Sequence, residues 1–164
     1  IGVDGAPDRI QVVALCADAP GIALENPRQT PAWQYPREYG PVSPGFSRGA
    51  LLGTGRAQRL LASGTASIVG HVSRHPGDVR AQLEESLANL DALLEQGAAR
   101  SGLRYGRSGC EALRVYLRHA RDADASRAVL AGAGLPAERV LHLRGDVCRA
   151  ELLVEIEGVF APLD

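Results

Sequence analysis

The sequence is poor in sulphur-containing residues, with no methionine and only three cysteines. Cys16, Cys110 and Cys148 are odd in number and widely spaced, and none belongs to a CxxC pair, so neither a disulfide framework nor a zinc site is indicated. We therefore expect free thiols, no metal and no cofactor. Because translation starts with methionine and its removal requires a small second residue, a chain beginning at Ile1 is expected to be a piece of a longer polypeptide.

An excess of either charge is also lacking, since 18 basic and 19 acidic residues give a net charge of −1. This balance argues against nucleic acid or anionic lipid as a partner. No apolar run approaches the roughly 20 residues of a membrane helix, and the first ten residues do not resemble a signal peptide. We expect a cytoplasmic protein without a membrane partner. With 164 residues, 45% of them hydrophobic, residues 1–164 should form a single domain.

The first half of the chain predicts strands separated by a long loop. Apolar, β-branched runs predict strands at 9–17, 50–52 and 58–63. Residues 20–48 contain six of the ten prolines, which excludes regular structure over most of this segment. Four aromatic residues within the segment argue against disorder, so we expect a functional loop.

The second half changes to a helical period. Apolar residues recur every three or four positions across 78–96, with Pro76 near the start of the predicted helix and Gly97 just past its end. A strand at 111–118, a shorter helix at 123–130 and strands at 139–143 and 150–160 complete the pattern. The predicted fold class is α+β, a mixed β-sheet with two helices packed on one face.

The last predicted strand carries two glutamates on one side. Side chains alternate along a strand, so Val154 and Ile156 point one way while Glu155 and Glu157 point the other. The two helices should cover the apolar face, which leaves both glutamates on the uncovered face. We expect other protein to bury this uncovered face, because an apolar residue such as Leu153 would otherwise be left bare on it.

Four separated segments resemble one family of enzymes, the chorismatases. They are ENPRQ (25–29), YPREYGPVSPGFSR (35–48), SGTASIVGHVSRHPGD (63–78) and GDVCRAELLVEIEG (145–158). The resemblance spans nearly the whole chain but only the C-terminal half of a typical family member. It implies the YjgF/chorismate-mutase-like fold of the reactive intermediate deaminases, whose trimers place active sites between subunits. The partners implied are the missing N-terminal half or homotrimer-like subunits.

The resemblance implies chorismate as the substrate, with protonation of its enolpyruvyl ether as the key step. A carboxylic acid that stays protonated near neutral pH would serve, and apolar surroundings raise a carboxyl pKa in that direction. Glu155, between Val154 and Ile156, is the candidate acid. The alternative interpretation is a solvated glutamate on an edge strand.

The two carboxylates of chorismate need cationic or hydrogen-bonding partners. Arginine suits them best, tyrosine can donate through its phenol, and small residues allow close backbone approach. Each candidate has a purely structural alternative, as a surface residue, in packing or in a strand bend. The substrate-binding candidates are Arg48, Arg118, Arg149, Tyr39, Tyr116, Gly64 and Ala66.

Cys148 presents a conflict between the strand pattern and the resemblance. An unbroken strand would place its thiol on the helix-covered face, whereas the resemblance places it in the pocket with Glu155. Both hold only if a bulge or turn separates the two residues. Gly64 combined with Cys148 resembles the family members that form 3-hydroxybenzoate and pyruvate, so Cys148 is included among the catalytic candidates.

Two alternative functions remain open from the sequence. One is a YjgF-type deaminase acting on enamines or imines, because such enzymes share the VEIE signature at 154–157. The other is a non-catalytic half that only supports a partner. His71 and His75 precede the long helix rather than lying on it, so they are not expected to form a metal pair.

Overall fold

The computed structural model describes residues 14 and 16–164, and the strand predicted at 9–17 lies largely outside them. A six-stranded sheet has the order β1-β2-β3-β8-β6-β7, in which only β6 and β7 run parallel. A short hairpin, β4–β5, lies beside it. The strands are β1 (Ile22–Leu24), β2 (Gly49–Leu52), β3 (Arg59–Ala66), β4 (Ile68–Val69), β5 (Val72–Ser73), β6 (Cys110–Leu117), β7 (Val140–Arg144) and β8 (Val154–Phe160).

The long helix α1 spans Val79–Ser101, and a shorter helix α2 spans Ala123–Ala131. The Asp78 carboxylate caps α1 by accepting from the backbone N–H groups of the first turn. The prediction that Gly97 ends the helix is wrong, because α1 continues to Gly102, which adopts φ 75°. Gly97 lies inside α1, where a Cβ would collide with the Leu60 side chain of β3.

The hydrophobic core lies between α1 and one face of the sheet. Buried leucines of α1 pack on alternate residues of β3, β6 and β8, including Leu60, Val115 and Ile156. Each fully buried leucine contributes roughly 1.5–3 kcal/mol, so this apolar stripe is what holds α1 on the sheet. The predicted α+β class and mixed sheet are confirmed.

Two segments differ from the predicted element boundaries. The long loop at 20–48 contains β1 and two 3-10 turns, Ala32–Gln34 and Arg37–Tyr39. The strand predicted at 150–160 begins only at Val154, because residues 148–151 form a turn in which the Leu152 N–H donates to the Arg149 carbonyl at 3.1 Å. Because this turn lies outside β8, the alternation of side chains along the strand does not determine which side of the sheet the Cys148 thiol occupies.

A bulge in β3 faces the start of β8. Ala62 pairs with Gly158 and Thr65 with Ile156, so three steps along β3 oppose two along β8. Bulges of this kind turn a strand away from regular pairing and are common beside active sites. No helix among the described residues is long and apolar enough to cross a membrane.

Candidate active site

The face of the sheet opposite α1, which carries Glu155 and is called the helix-free face below, has a pocket of about 390 Å³ beside the β3 bulge. It contains seven of the nine site residues predicted from the sequence, and it also contains five that were not predicted. Two of these five, Tyr35 and Phe46, could have been predicted from their place in the 35–48 motif, because they are aromatic residues in a segment already expected to be functional. The pocket is lined by Tyr35, Tyr39, Pro44, Phe46, Arg48, Ser63, Gly64, Ala66, Ile68, Cys148, Arg149 and Glu155.

Glu155 lies in this pocket with only 8% of its surface exposed. It pairs with Ala66 in β3 and with Tyr116 in β6. Gly64, in the bulge, leaves room for its carboxyl group, since a Cβ there would lie 2.9 Å from the Glu155 Cδ. None of the described residues donates a hydrogen bond to this carboxylate. Burial raises the Glu155 pKa, and the nearby charge of Glu157 raises it further, so the protonated acid is favoured.

Cys148 reaches the same pocket from the turn at 148–151. The residue is exposed overall, but partial burial of its thiol in the pocket raises the pKa of the thiol, and the charge of an ionised Glu155 raises it further. Such a thiol stays neutral, which does not favour a thiolate nucleophile. Its chemistry in the pocket is therefore that of a compact, weakly polar group.

Arg48 supplies one cation to the pocket and is only 5% exposed. Its Nη2 donates to the Thr30 carbonyl and to the Tyr35 hydroxyl, both at 2.7 Å. Its guanidinium carbon lies 5.5 Å from the Tyr35 ring centroid and 5.1 Å from that of Phe46. The Nε is buried and has no hydrogen-bond partner among the described residues.

Arg149 supplies the second cation. Its Nη1 donates to the His71 carbonyl at 2.8 Å and to the Ser73 hydroxyl at 3.0 Å. Its guanidinium carbon lies 3.9 Å from the Tyr39 ring centroid and 5.3 Å from that of Tyr35. The Nη2 is buried without a partner among the described residues. Both arginines therefore contact the Tyr35 ring, and each has one buried donor without a partner among the described residues.

Two predicted substrate-binding residues, Tyr116 and Arg118, do not line the pocket. The Tyr116 hydroxyl donates to Glu157 at 2.8 Å, and burial together with this carboxylate raises the pKa of Tyr116 to about 12. Arg118 directs its guanidinium to backbone carbonyls and to Asp146. The described residues contain no group of three His, Cys, Asp or Glu side chains that could hold a metal ion.

Comparison with known proteins extends the resemblance seen in the four motifs. The chain is 40% identical over 152 residues to a 3-hydroxybenzoate synthase of Streptomyces hygroscopicus, and 41% identical over 145 residues to a chorismatase of Streptomyces rapamycinicus. The chain is similar to the chorismatases. These alignments cover 88% and 85% of the chain but 44% and 43% of the relatives, so the chain spans less than half their length. No family model matches the chain.

Solved structures support the same resemblance. A chorismatase crystal structure superposes with a TM-score of 0.80 at 38% identity, covering 87% of this chain and 44% of that one. A YjgF-family protein from Neisseria meningitidis gives a TM-score of 0.57 at 20% identity, covering 75% of this chain and 92% of that one. The chorismatase resemblance predicted from the motifs is confirmed, and the more distant similarity establishes the shared α+β fold.

Proposed function

We propose that this chain converts chorismate to 3-hydroxybenzoate and pyruvate, acting within a larger assembly. The observation that carries the proposal is the buried Glu155 carboxyl, which faces a pocket containing two arginines with unpaired donors. A proton donor enclosed with two cations matches a substrate that has an enol ether and two carboxylates. The similarity to a 3-hydroxybenzoate synthase and to chorismatases supports the same substrate class.

In the proposed mechanism, protonated Glu155 delivers its proton to the terminal methylene carbon of the enolpyruvyl ether. The resulting oxocarbenium ion is captured by the neighbouring ring hydroxyl. Elimination of pyruvate with loss of a ring proton then makes the ring aromatic, and that proton restores the acid. The sequence of steps consumes no water, whereas simple hydrolysis would add one water molecule and leave a dihydroxy-cyclohexadiene acid.

Arg48 and Arg149 would bind the two carboxylates of chorismate. Each guanidinium is held from the protein side by hydrogen bonds and aromatic contacts, so its unpaired donor is fixed before substrate arrives. Tyr39 would fix the Arg149 plane through its ring. Gly64 and Ala66 would form the floor beside Glu155, where the backbone of β3 comes close.

The course of the reaction would depend on which nucleophile reaches the oxocarbenium ion first. Cys148 lines the pocket beside Glu155 and is bulky enough to exclude a water molecule. Cys148→Ala should therefore shift the products from 3-hydroxybenzoate towards the hydrolysis product. Chromatography of the two reactions measures the ratio, and an unchanged ratio would remove Cys148 from control of the branch.

The function itself is tested by incubating the chain with chorismate and measuring pyruvate and the aromatic product. Formation of both, in equal amounts, is the expected result. Ammonia release from an enamine, with no pyruvate from chorismate, would support the YjgF-type deaminase instead. Turnover that needs a second polypeptide and persists when Glu155 of this chain is replaced by glutamine would identify the chain as a supporting half.

We further propose that residues 1–164 form one domain whose helix-free face is covered by the rest of a longer polypeptide or by further copies. The partly exposed Leu141 and Leu143 of β7 lie on this face and would be buried by such contact. Light scattering measures the assembly, and a monomer that is fully active would contradict this proposal.

A further inference from the structure

We propose that Arg118 is a positioning residue that holds the turn at 146–152 and thereby sets where Cys148 and Arg149 stand in the pocket. Its effect on products rests on the proposed function, whereas its effect on the turn does not. Arg118 follows directly after β6 and does not itself line the pocket. It would therefore act through the two pocket residues, not by touching substrate.

The guanidinium of Arg118 binds the turn from the inside. Nη2 donates to the carbonyls of Val147 and Arg149, both at 2.9 Å, and Nε donates to the Leu152 carbonyl at 2.9 Å. Nη1 donates to the Asp146 carboxylate at 2.7 Å. The acceptors lie on both sides of Cys148 in the chain, so one side chain fixes the turn on both sides of the thiol.

Arginine is suited to this task by its geometry. Its planar fork presents five N–H donors in fixed directions, and four of them are used here. The Arg118 side chain is 19% exposed, whereas the Asp146 side chain is 75% exposed, so water competes for this carboxylate and the backbone carbonyls are the main acceptors. Lysine would bring the charge but not the fork, and it could satisfy only some of the carbonyls.

The backbone on either side of the turn is attached to the same end of β6. The Arg118 N–H donates to the Leu153 carbonyl at 2.9 Å, and the Gly145 N–H donates to the Leu117 carbonyl at 3.1 Å. With both ends of the segment fixed, the remaining freedom lies in the residues between them. Those are the residues whose carbonyls Arg118 binds.

The opposite side of the turn is attached to the β4–β5 hairpin. Arg149 donates to the His71 carbonyl and the Ser73 hydroxyl, and that hydroxyl donates to Glu151 at 2.7 Å. The turn is thus held between Arg118 and the hairpin, and its two pocket side chains project from a doubly anchored segment. Gln82 of α1 also holds the end of this segment, since it donates to the Glu151 carbonyl at 2.8 Å and accepts from the Leu153 N–H at 2.7 Å. Loss of Arg118 would therefore remove the contacts to the carbonyls on both sides of Cys148 and leave the hairpin and Gln82 contacts in place.

The first experiment measures the turn without catalysis. In Arg118→Met, alkylation of Cys148 by iodoacetamide should accelerate at least about 10-fold, because hydrogen bonds from a charged donor are lost and the thiol moves away from Glu155. Amide hydrogen exchange across 146–152 should accelerate as well. Arg118→Lys should fall between wild type and Arg118→Met. Unchanged alkylation and exchange in folded Arg118→Met would overturn the proposal.

Two controls separate a local effect from general destabilisation. Arg114→Met removes an exposed arginine of β6 that pairs with Glu157, and it should leave Cys148 alkylation unchanged. Cys110, buried in the core, should stay unreactive in every variant and reports global opening. If Arg118→Met does not fold, Asp146→Asn removes the charge from one acceptor, and it should accelerate Cys148 alkylation by a smaller factor. The proposal would also be overturned if both single variants, Asp146→Asn and Arg118→Lys, folded and neither showed faster alkylation of Cys148.

The second experiment measures the consequence for the reaction. A displaced Arg149 should raise KM for chorismate, and a displaced Cys148 should raise the share of hydrolysis product. The product shifts of Arg118→Met and Cys148→Ala should not add in the double variant, since both act through one thiol. Additive shifts would mean that Arg118 does not act through Cys148. If wild type does not turn over chorismate, the proposed function fails while the alkylation result still decides the role of Arg118.

Discussion

β8 places two glutamates on the helix-free face, Glu155 near its start and Glu157 at its centre, and the two have opposite surroundings. Glu157 accepts hydrogen bonds from Arg114 and from the Tyr116 hydroxyl, both at 2.8 Å, and its side chain is 27% exposed. Glu155, two residues earlier, is buried in the pocket and receives no hydrogen bond from the described residues. Glu157 therefore has two hydrogen-bond donors, whereas burial without a donor raises the pKa of Glu155 and favours its neutral form.

The difference arises from the neighbouring strands and loops and not from β8 itself. Glu157 pairs with Arg114 of β6, which supplies a cation beside it. Glu155 pairs with Ala66 of β3, and Gly64 of the bulge lies over its carboxyl group. The acid proposed at Glu155 would thus differ from Glu157 in having no hydrogen-bond donor among the described residues. A carboxylate buried without partners favours its neutral form, because desolvation penalises the charge.

The largest expected effect comes from replacing Glu155, and the same replacement at Glu157 should have little effect. Glu155→Gln keeps the shape but cannot protonate carbon, so turnover should fall by about 10²-fold or more. Glu157→Gln, the matched control, should keep turnover within a few-fold of wild type. Steady-state pyruvate release measures both variants. Equal losses in the two variants would contradict the distinction drawn between them.

A smaller effect is expected from filling the space above Glu155. In Gly64→Ala the new Cβ would lie 2.9 Å from the Glu155 Cδ, so the carboxyl group must move. Displacing a catalytic group in this way costs up to about 10²-fold in kcat, and the loss should be smaller than that of Glu155→Gln. Gly132→Ala, at the end of α2 and outside the pocket, is the matched control and should keep kcat, since a Cβ there would meet only the Val129 carbonyl at 3.7 Å. Full kcat in Gly64→Ala would indicate that the carboxyl position is not critical.

The sequence predicted the face of Glu155 because alternation is enforced along a regular strand. It could not place Cys148, since the turn at 148–151 has no periodic signal and depends on hydrogen bonds to Arg118, which is distant in the chain. Whether Arg118 faces the pocket or the turn depends on where those carbonyls converge, and this is a tertiary property. The end of α1 was misplaced for a related reason, because Gly97 is required by close packing on Leu60 and not by a helix terminus.

The long loop at 20–48 illustrates the same limit. Its prolines predicted that helices and long strands would be absent from most of the segment, and the structure has only the short β1 and two 3-10 turns there. Tyr35 and Tyr39 line the pocket because two arginines pack against their rings. Arg48 lies against Tyr35, and Arg149 lies against both Tyr35 and Tyr39. Contacts between cations and rings have no fixed spacing in sequence, so the sequence does not predict that Tyr35 lines the pocket.

The pH dependence of the reaction should follow the raised pKa of Glu155. The acid must be protonated, so kcat should be highest below this pKa and should fall as pH rises through it. Glu157 contributes to raising the Glu155 pKa, and therefore Glu157→Gln should move the falling limb to lower pH. A pH profile of pyruvate release measures the shift. A limb that stays in place, or moves to higher pH, would mean that the two carboxyl groups are not coupled.

The smallest effect is expected at Tyr116, and it decides between two roles for this residue. The sequence suggested a substrate contact, whereas the structure directs the Tyr116 hydroxyl to Glu157, outside the pocket lining. Tyr116→Phe removes one hydrogen bond to a charged acceptor, so the free energy of unfolding should fall by about 1.5–3 kcal/mol. KM for chorismate should change by less than about twofold, because no group at the pocket is lost. Denaturant unfolding and steady-state kinetics measure the two quantities. A large rise in KM with unchanged stability would instead support the substrate contact, and Tyr116 and Glu157 would then belong to the site.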